Sequence, residues 1–104
     1  MPATDTPVVV DHDIEEMLRD IEQRALQKRL IVFNDDHHDM LEVLIQIMLA
    51  REVGGQPCTP EQARSIMMEA HSKGQAVVMS GDLDNLRKAR AVLEAIDLRA
   101  DIID

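Results

Sequence analysis

Residues 40–52, MLEVLIQIMLARE, constrain the fold of this chain more than any other stretch. Helical spacing leaves apolar side chains on nearly every side of the segment, and a helix of that composition cannot turn a broad front to water. The pattern therefore predicts a helix buried on two faces. Its ends are marked as well. Asp39 is a natural N-cap with Glu42 three residues on, as in a capping box, and Gly54-Gly55 stops the helix. The run falls short of the roughly 18 apolar residues that a membrane span requires. The rest of the 104 residues, one domain's worth of chain, must supply the layers that cover it.

Those layers are legible around it. Leu30 to Phe33 is a short β-rich run, ended by the turn formers Asn34, Asp35 and Asp36. After the loop Gln56-Pro57-Cys58, Thr59 caps a second helix with Pro60 at N1 and Gln62 at N3. Ala63, Ile66, Met67 and Ala70 recur along one face of it, and Lys73-Gly74 closes it. Ala76 to Met79 reads as a strand, and Gly81-Asp82 turns the chain into a third helix. That helix has Leu83, Leu86, Ala89, Leu93 and Ile96 on one face, and Arg99 to Ile103 is a last strand. The expected fold is α+β in the order β-α-α-β-α-β, a small three-stranded antiparallel sheet covered by three helices over residues 29–104. Residues 1–28 form an extension, with Pro2 and Pro7 ahead of a thin apolar stripe of Ile14, Met17, Leu18, Ile21 and Ala25. The sequence admits either a docked amphipathic helix or a mobile arm there.

Composition excludes several function classes. Twenty acids against eleven bases give a net charge of −9, with no basic footprint for nucleic acid or for an anionic membrane. Phe33 is the single aromatic residue, so a base-stacking platform has almost nothing to stack on. Seven Met residues supply soft apolar surface, suited to irregular cores or to pockets that accept several shapes. The lone Cys58 excludes an internal disulfide and fits a reducing, cytoplasmic location. The opening MPATDTPVVVDHD has neither the basic nor the long apolar region of a signal peptide.

Chemistry concentrates in Asn34-Asp35-Asp36-His37-His38-Asp39, at a strand-to-helix junction. One reading is a metal-dependent hydrolase centred on Asp35, Asp36, His37 and His38, although adjacent turn residues rarely converge on one ion and no spaced His or Cys pair completes the set. A His–Asp dyad is a second reading, without an accompanying nucleophile motif. A third is recognition of a cation by clustered acceptors, and a fourth is a solvated turn joined to a helix cap. His71 stands four residues after Met67, on the same helix face at the rim of the apolar stripe. No HExxH pair accompanies it.

LIVFNDD, then Met40 and Val43, then CTPEQARSIMMEAHSKGQAVV, resembles the ATP-dependent Clp protease adaptor family ClpS. The shared pattern is a strand ending in Asn34-Asp35-Asp36, Met40 past a helix-start loop, and a helix ending Ile66-Met67, His71, Gly74. The resemblance spans residues 29–103 and implies an adaptor without catalysis, cofactor or metal. Such an adaptor binds N-degron peptides with a bulky apolar first residue and hands them, as a monomer, to the N-terminal domain of a Clp AAA+ unfoldase. By this resemblance Asn34, Asp35 and His71 surround the substrate's α-amino group, with Asp36 helping through the loop or an ordered water. Met40, Val43, Met67, Ala70 and Leu98 line the pocket for the first side chain. The family often has Thr and Pro before the Met. Here His38 and Asp39 stand there, and Ala70 stands where Val is common. The chemistry is consistent, because a free α-amino group with a pKa of about 7.7–8.0 is largely cationic at neutral pH and suits amide, carboxylate and imidazole acceptors.

Overall fold

The structure is a computed structural model and describes residues 13–21 and 27–104. Residues 13–21 are helical and are called α1 below. The expected strands and helices follow: β1 (Lys28–Phe33), α2 (Met40–Val53), α3 (Pro60–Lys73), β2 (Gln75–Gly81), α4 (Leu83–Glu94) and β3 (Ala100–Ile103). Ala25 and residues 1–12 of the extension lie outside the described residues.

β1 is the central strand. It pairs antiparallel with β2 on one side and β3 on the other, in the order β2-β1-β3. Leu30 faces Met79 and Ile102, and the register with β2 shifts between Leu30 and Ile31. Side chains alternate across a strand, so Leu30 and Val32 go into the core together while Ile31 lies outside that cluster. The core joins them to Ile47 and Ala50 of α2, Ala63 and Ala70 of α3, Val78 of β2, and Leu86, Ala89 and Leu93 of α4. Leu98, in the turn before β3, is buried with them. Ile96 lies past the end of α4, in that same turn.

Local signals account for the boundaries. Thr59 and Gln62 form a complete capping box at the start of α3. Asp82 accepts from the Asn85 N–H at the start of α4. Asp39 caps α2 through the Leu41 N–H at 3.3 Å, one residue earlier than a capping box uses. Gly54 ends α2 where the chain passes over Met79; a Cβ there would lie 2.7 Å from the Met79 Sδ and Cε.

α2 corrects the expectation of burial on two faces. Only Val43, Ile47 and Ala50 are buried, whereas Leu41, Ile45, Leu49 and Val53 are exposed. The reason is the number of layers. α3 and α4 flank α2 on the side toward the sheet, and among the described residues nothing lies over the opposite face. A domain of this size has no third layer to offer.

Gly74 adopts φ +88°, the left-handed cap, and donates its N–H to the Ala70 carbonyl. Left-handed backbone costs a residue with a Cβ roughly 1–2 kcal/mol. Gly74→Ala should therefore lower stability by about 1 kcal/mol, and Gly74→Asn by less, because Asn tolerates this region. Urea unfolding checks this as a shift in midpoint at unchanged slope.

Candidate functional site

The site is built where the central strand runs out. The Phe33 N–H donates to the Arg99 carbonyl at 3.1 Å and the Asn34 N–H to the Gly74 carbonyl at 3.0 Å. These two bonds fix the end of β1 between the start of β3 and the C-terminus of α3. The Arg99 guanidinium lies over the Phe33 ring, 4.4 Å from its centre.

Beyond Asn34 the chain folds back on the Asp35 carboxylate. One oxygen accepts from the His37 N–H at 2.5 Å and the His38 N–H at 3.1 Å. The other meets His38 Nδ1 at 2.6 Å. His38 Nε2 in turn bonds the Ile96 carbonyl, in the turn where Asp97 stands at φ +60°. An ionised carboxylate and a peptide carbonyl are both acceptors only, so the two contacts together favour the doubly protonated ring, the imidazolium. The Asp35 carboxylate raises the His38 pKa; burial opposes this, and the Ile96 carbonyl and the negative charges of Asp35 and Glu42 add to the rise. Burial works to raise the Asp35 pKa. The His37 N–H, the His38 ring and its charge, and the His38 N–H outweigh it and hold the carboxyl below its ordinary value.

Behind this loop lies a cleft of about 410 Å³, a volume that includes open space at its mouth. Val32, Phe33, Asn34, Asp35, His38, Met40, Val43, Ile47, Met67, Ala70, His71 and Leu98 line it. Burial separates floor from mouth. Val32, Val43, Ile47, Ala70 and Leu98 are buried, Met67 is half-buried, and Asn34, Met40 and His71 are exposed. The result is an aliphatic cavity with an amide, a carboxylate and an imidazole at its opening. Asp35 has about four lone-pair positions, and three are already occupied by loop donors.

Nine of the ten residues named from sequence thus gather round one cleft, Asn34, Asp35, His38, Met40, Val43, Met67, Ala70, His71 and Leu98. Asp36 is exposed and does not line it. Val32, Phe33 and Ile47 line it without having been named. Ile47 carried a usable signal, four residues past Val43 on the same helix face. The alternative centred on Asp35, Asp36, His37 and His38 needs those side chains to converge on one point. Among the described residues no three His, Cys, Asp or Glu side chains form a metal-binding group, and both ring nitrogens of His38 are engaged.

The Asp35–His38 pair makes the loop sensitive to pH. A His raised above its unfolded value adds stability at low pH and loses it as pH climbs through the folded pKa. A lowered carboxyl adds stability above its unfolded value and loses it as pH falls through the folded one. The pair therefore supports the loop between the lowered Asp35 value and the raised His38 value. In an NMR titration His38 should lose its proton above the ordinary imidazole value of 6.5. Over the same range the Ile96–Leu98 amides should shift, and His38→Ala should abolish those shifts. A His38 midpoint at or below the ordinary value would contradict the bridge.

Comparison with known proteins agrees with the fold. No curated protein matches the chain. Among solved structures it is similar to Agrobacterium tumefaciens ClpS2 bound to L-phenylalaninamide, with 19% identity over 73% of this chain and 95% of that one, at a TM-score of 0.59. The family model described as ATP-dependent Clp protease adaptor protein ClpS matches residues 23–100. With three quarters of its length inside that match, the chain belongs to the ClpS family of Clp protease adaptors.

Proposed function

We propose that this chain is an N-degron adaptor, binding the free amino terminus and bulky apolar first side chain of a substrate and delivering it to a Clp AAA+ unfoldase–peptidase, without catalysis of its own. One observation carries the reading: a buried aliphatic floor lies directly beneath an opening lined by Asn34, Asp35 and His71. L-phenylalaninamide, the ligand of the similar ClpS2 structure, combines the same two features, a free amine and an apolar side chain.

The energetics are sufficient. Burying a Leu or Phe side chain contributes roughly 1.5–3 kcal/mol. Charge-assisted hydrogen bonds to the ammonium add about 1.5–3 kcal/mol each. After the cost of association a micromolar-range affinity follows. A protonated His38 offsets the Asp35 charge, so Asn34 and His71 then carry more of the grip on the amine than three equal acceptors would.

Acetylating the peptide N-terminus removes its charge and two donors while leaving the side chain intact. Acceptors that the bound peptide covers and leaves unpaired cost about 1–3 kcal/mol each. Fluorescence anisotropy should show at least a roughly tenfold weaker affinity for acetyl-Leu-first than for Leu-first peptides, about 1.4 kcal/mol. His71→Ala should weaken the free peptide and barely alter the acetylated one, the non-additivity expected of a direct contact. Equal binding of the two peptides would overturn the reading.

Met40 gives a second test. With the amine at the mouth, the first residue's Cβ lies near the mouth as well, where half-exposed Met40 lines the cleft. β-Branched side chains put two heavy atoms on that carbon and are stiff there. Ile- and Val-first peptides should bind markedly less well than Leu-first ones, and Met40→Ala should narrow the gap. Ile binding as well as Leu to the unmutated protein would remove Met40 from this role.

A further inference from the structure

Two apolar faces of this chain are left without a partner among the described residues. On α2, Leu41, Ile45, Leu49 and Val53 are 60, 47, 44 and 49% exposed. Their four-residue spacing makes one continuous ridge, about 18 Å long at the helical rise, of the kind that packs into the grooves of a second helix. On α1, Ile14, Met17, Leu18 and Ile21 are 43–61% exposed and share a single face. Both helices therefore hold in water an apolar stripe that a partner helix would cover.

We propose that α1 docks along the exposed ridge of its own α2, as an intramolecular strap. The connection is long enough. Seven residue steps separate Ile21 from Lys28, and extended chain spans at most roughly 3.3–3.6 Å per step, about 23–25 Å. The ridge also ends where that connection enters the domain. Gln56, three residues past Val53, donates to the Ser80 carbonyl, and Ser80 pairs with Arg29 beside the first residue of β1. Val53 and the entry point of the connection thus lie at the same end of the sheet.

Size and charge select this occupant over a second copy. Four half-exposed aliphatic side chains offer well under the ~800 Å² per partner of a stable protein interface. Two copies would also bring together two net charges of −9. A tethered helix needs far less contact, because its effective concentration is in the millimolar range for a short connection. The polar face of α1, with Glu15 and Arg19, stays in solvent when the stripe is covered.

The test uses the full-length chain. A spin label is attached at Arg19→Cys, opposite the stripe, in a Cys58→Ala background, and the ¹⁵N spectrum is recorded at several dilutions. Docking predicts loss of signal from the residue 41–53 amides well beyond that of β3, independent of concentration. The loss should disappear with Leu18→Asp and, separately, with Ile45→Asp. Ile45 is half-exposed, so the second substitution leaves the β-sheet resonances in place as a check on folding. Mixing spin-labelled protein without ¹⁵N with unlabelled ¹⁵N protein should produce no loss. An undisturbed α2 in the labelled chain overturns the proposal. So does broadening in the mixed sample, which would assign the ridge to a second copy.

Discussion

The hydrogen bond from the Asn34 N–H to the Gly74 carbonyl is the joint on which the site depends. It holds the end of the central strand against the cap of α3, so Asn34 and His71, from opposite ends of the domain's first half, open onto one cleft. The carbonyl is available because Gly74 leaves the helix in the left-handed conformation. A helix continuing past Lys73 would commit its carbonyls to its own next turn. One backbone conformation therefore stops α3, starts β2 and brings the two polar residues to the same opening.

His38 adds a second joint of a different kind. It links Asp35 to the Ile96 carbonyl and so couples the loop before α2 to the turn between α4 and β3. Leu98, on the cleft floor, follows from that same turn. The bridge fixes the mouth and the floor of the cleft relative to each other, at the expense of part of the Asp35 charge. An Asp35 neutralised by a neighbouring imidazolium attracts a cationic amine less strongly than a free carboxylate. Rigidity of the opening is gained against electrostatic pull on a cation placed there.

How much of this could be read in the sequence differs from residue to residue. Thr59, Pro60, Gln62 and Gly74 announce α3 through local chemistry, and the structure has them in those roles. The order of elements follows from short-range spacing of the same kind. The cleft was legible through residues that the ClpS pattern groups together, while Ile47 required only the helical period. The Ile96 carbonyl was not legible. A peptide oxygen is present at every residue, and nothing in the sequence marks the one a ring 58 positions away will meet. The outward face of α2 was misread because hydrophobicity reports the need for cover, whereas the number of available layers is a property of the assembled fold.

A lining with one aromatic ring and two Met side chains also bears on the selectivity of the proposed adaptor. Met67, half-buried in the wall, has a flexible, polarizable side chain that adjusts to the shape presented to it. Aliphatic walls give dispersion and exclusion of water, and neither distinguishes sharply between a branched alkyl group and a ring of similar size. Strong discrimination has to come from places where misfit cannot be relieved by a rotamer change. At the mouth the Asp35 carboxylate is such a place, held by its loop donors and by the His38 ring. In the proposed adaptor a cleft of this construction would select for the amine and for the carbon next to it, and be permissive beyond.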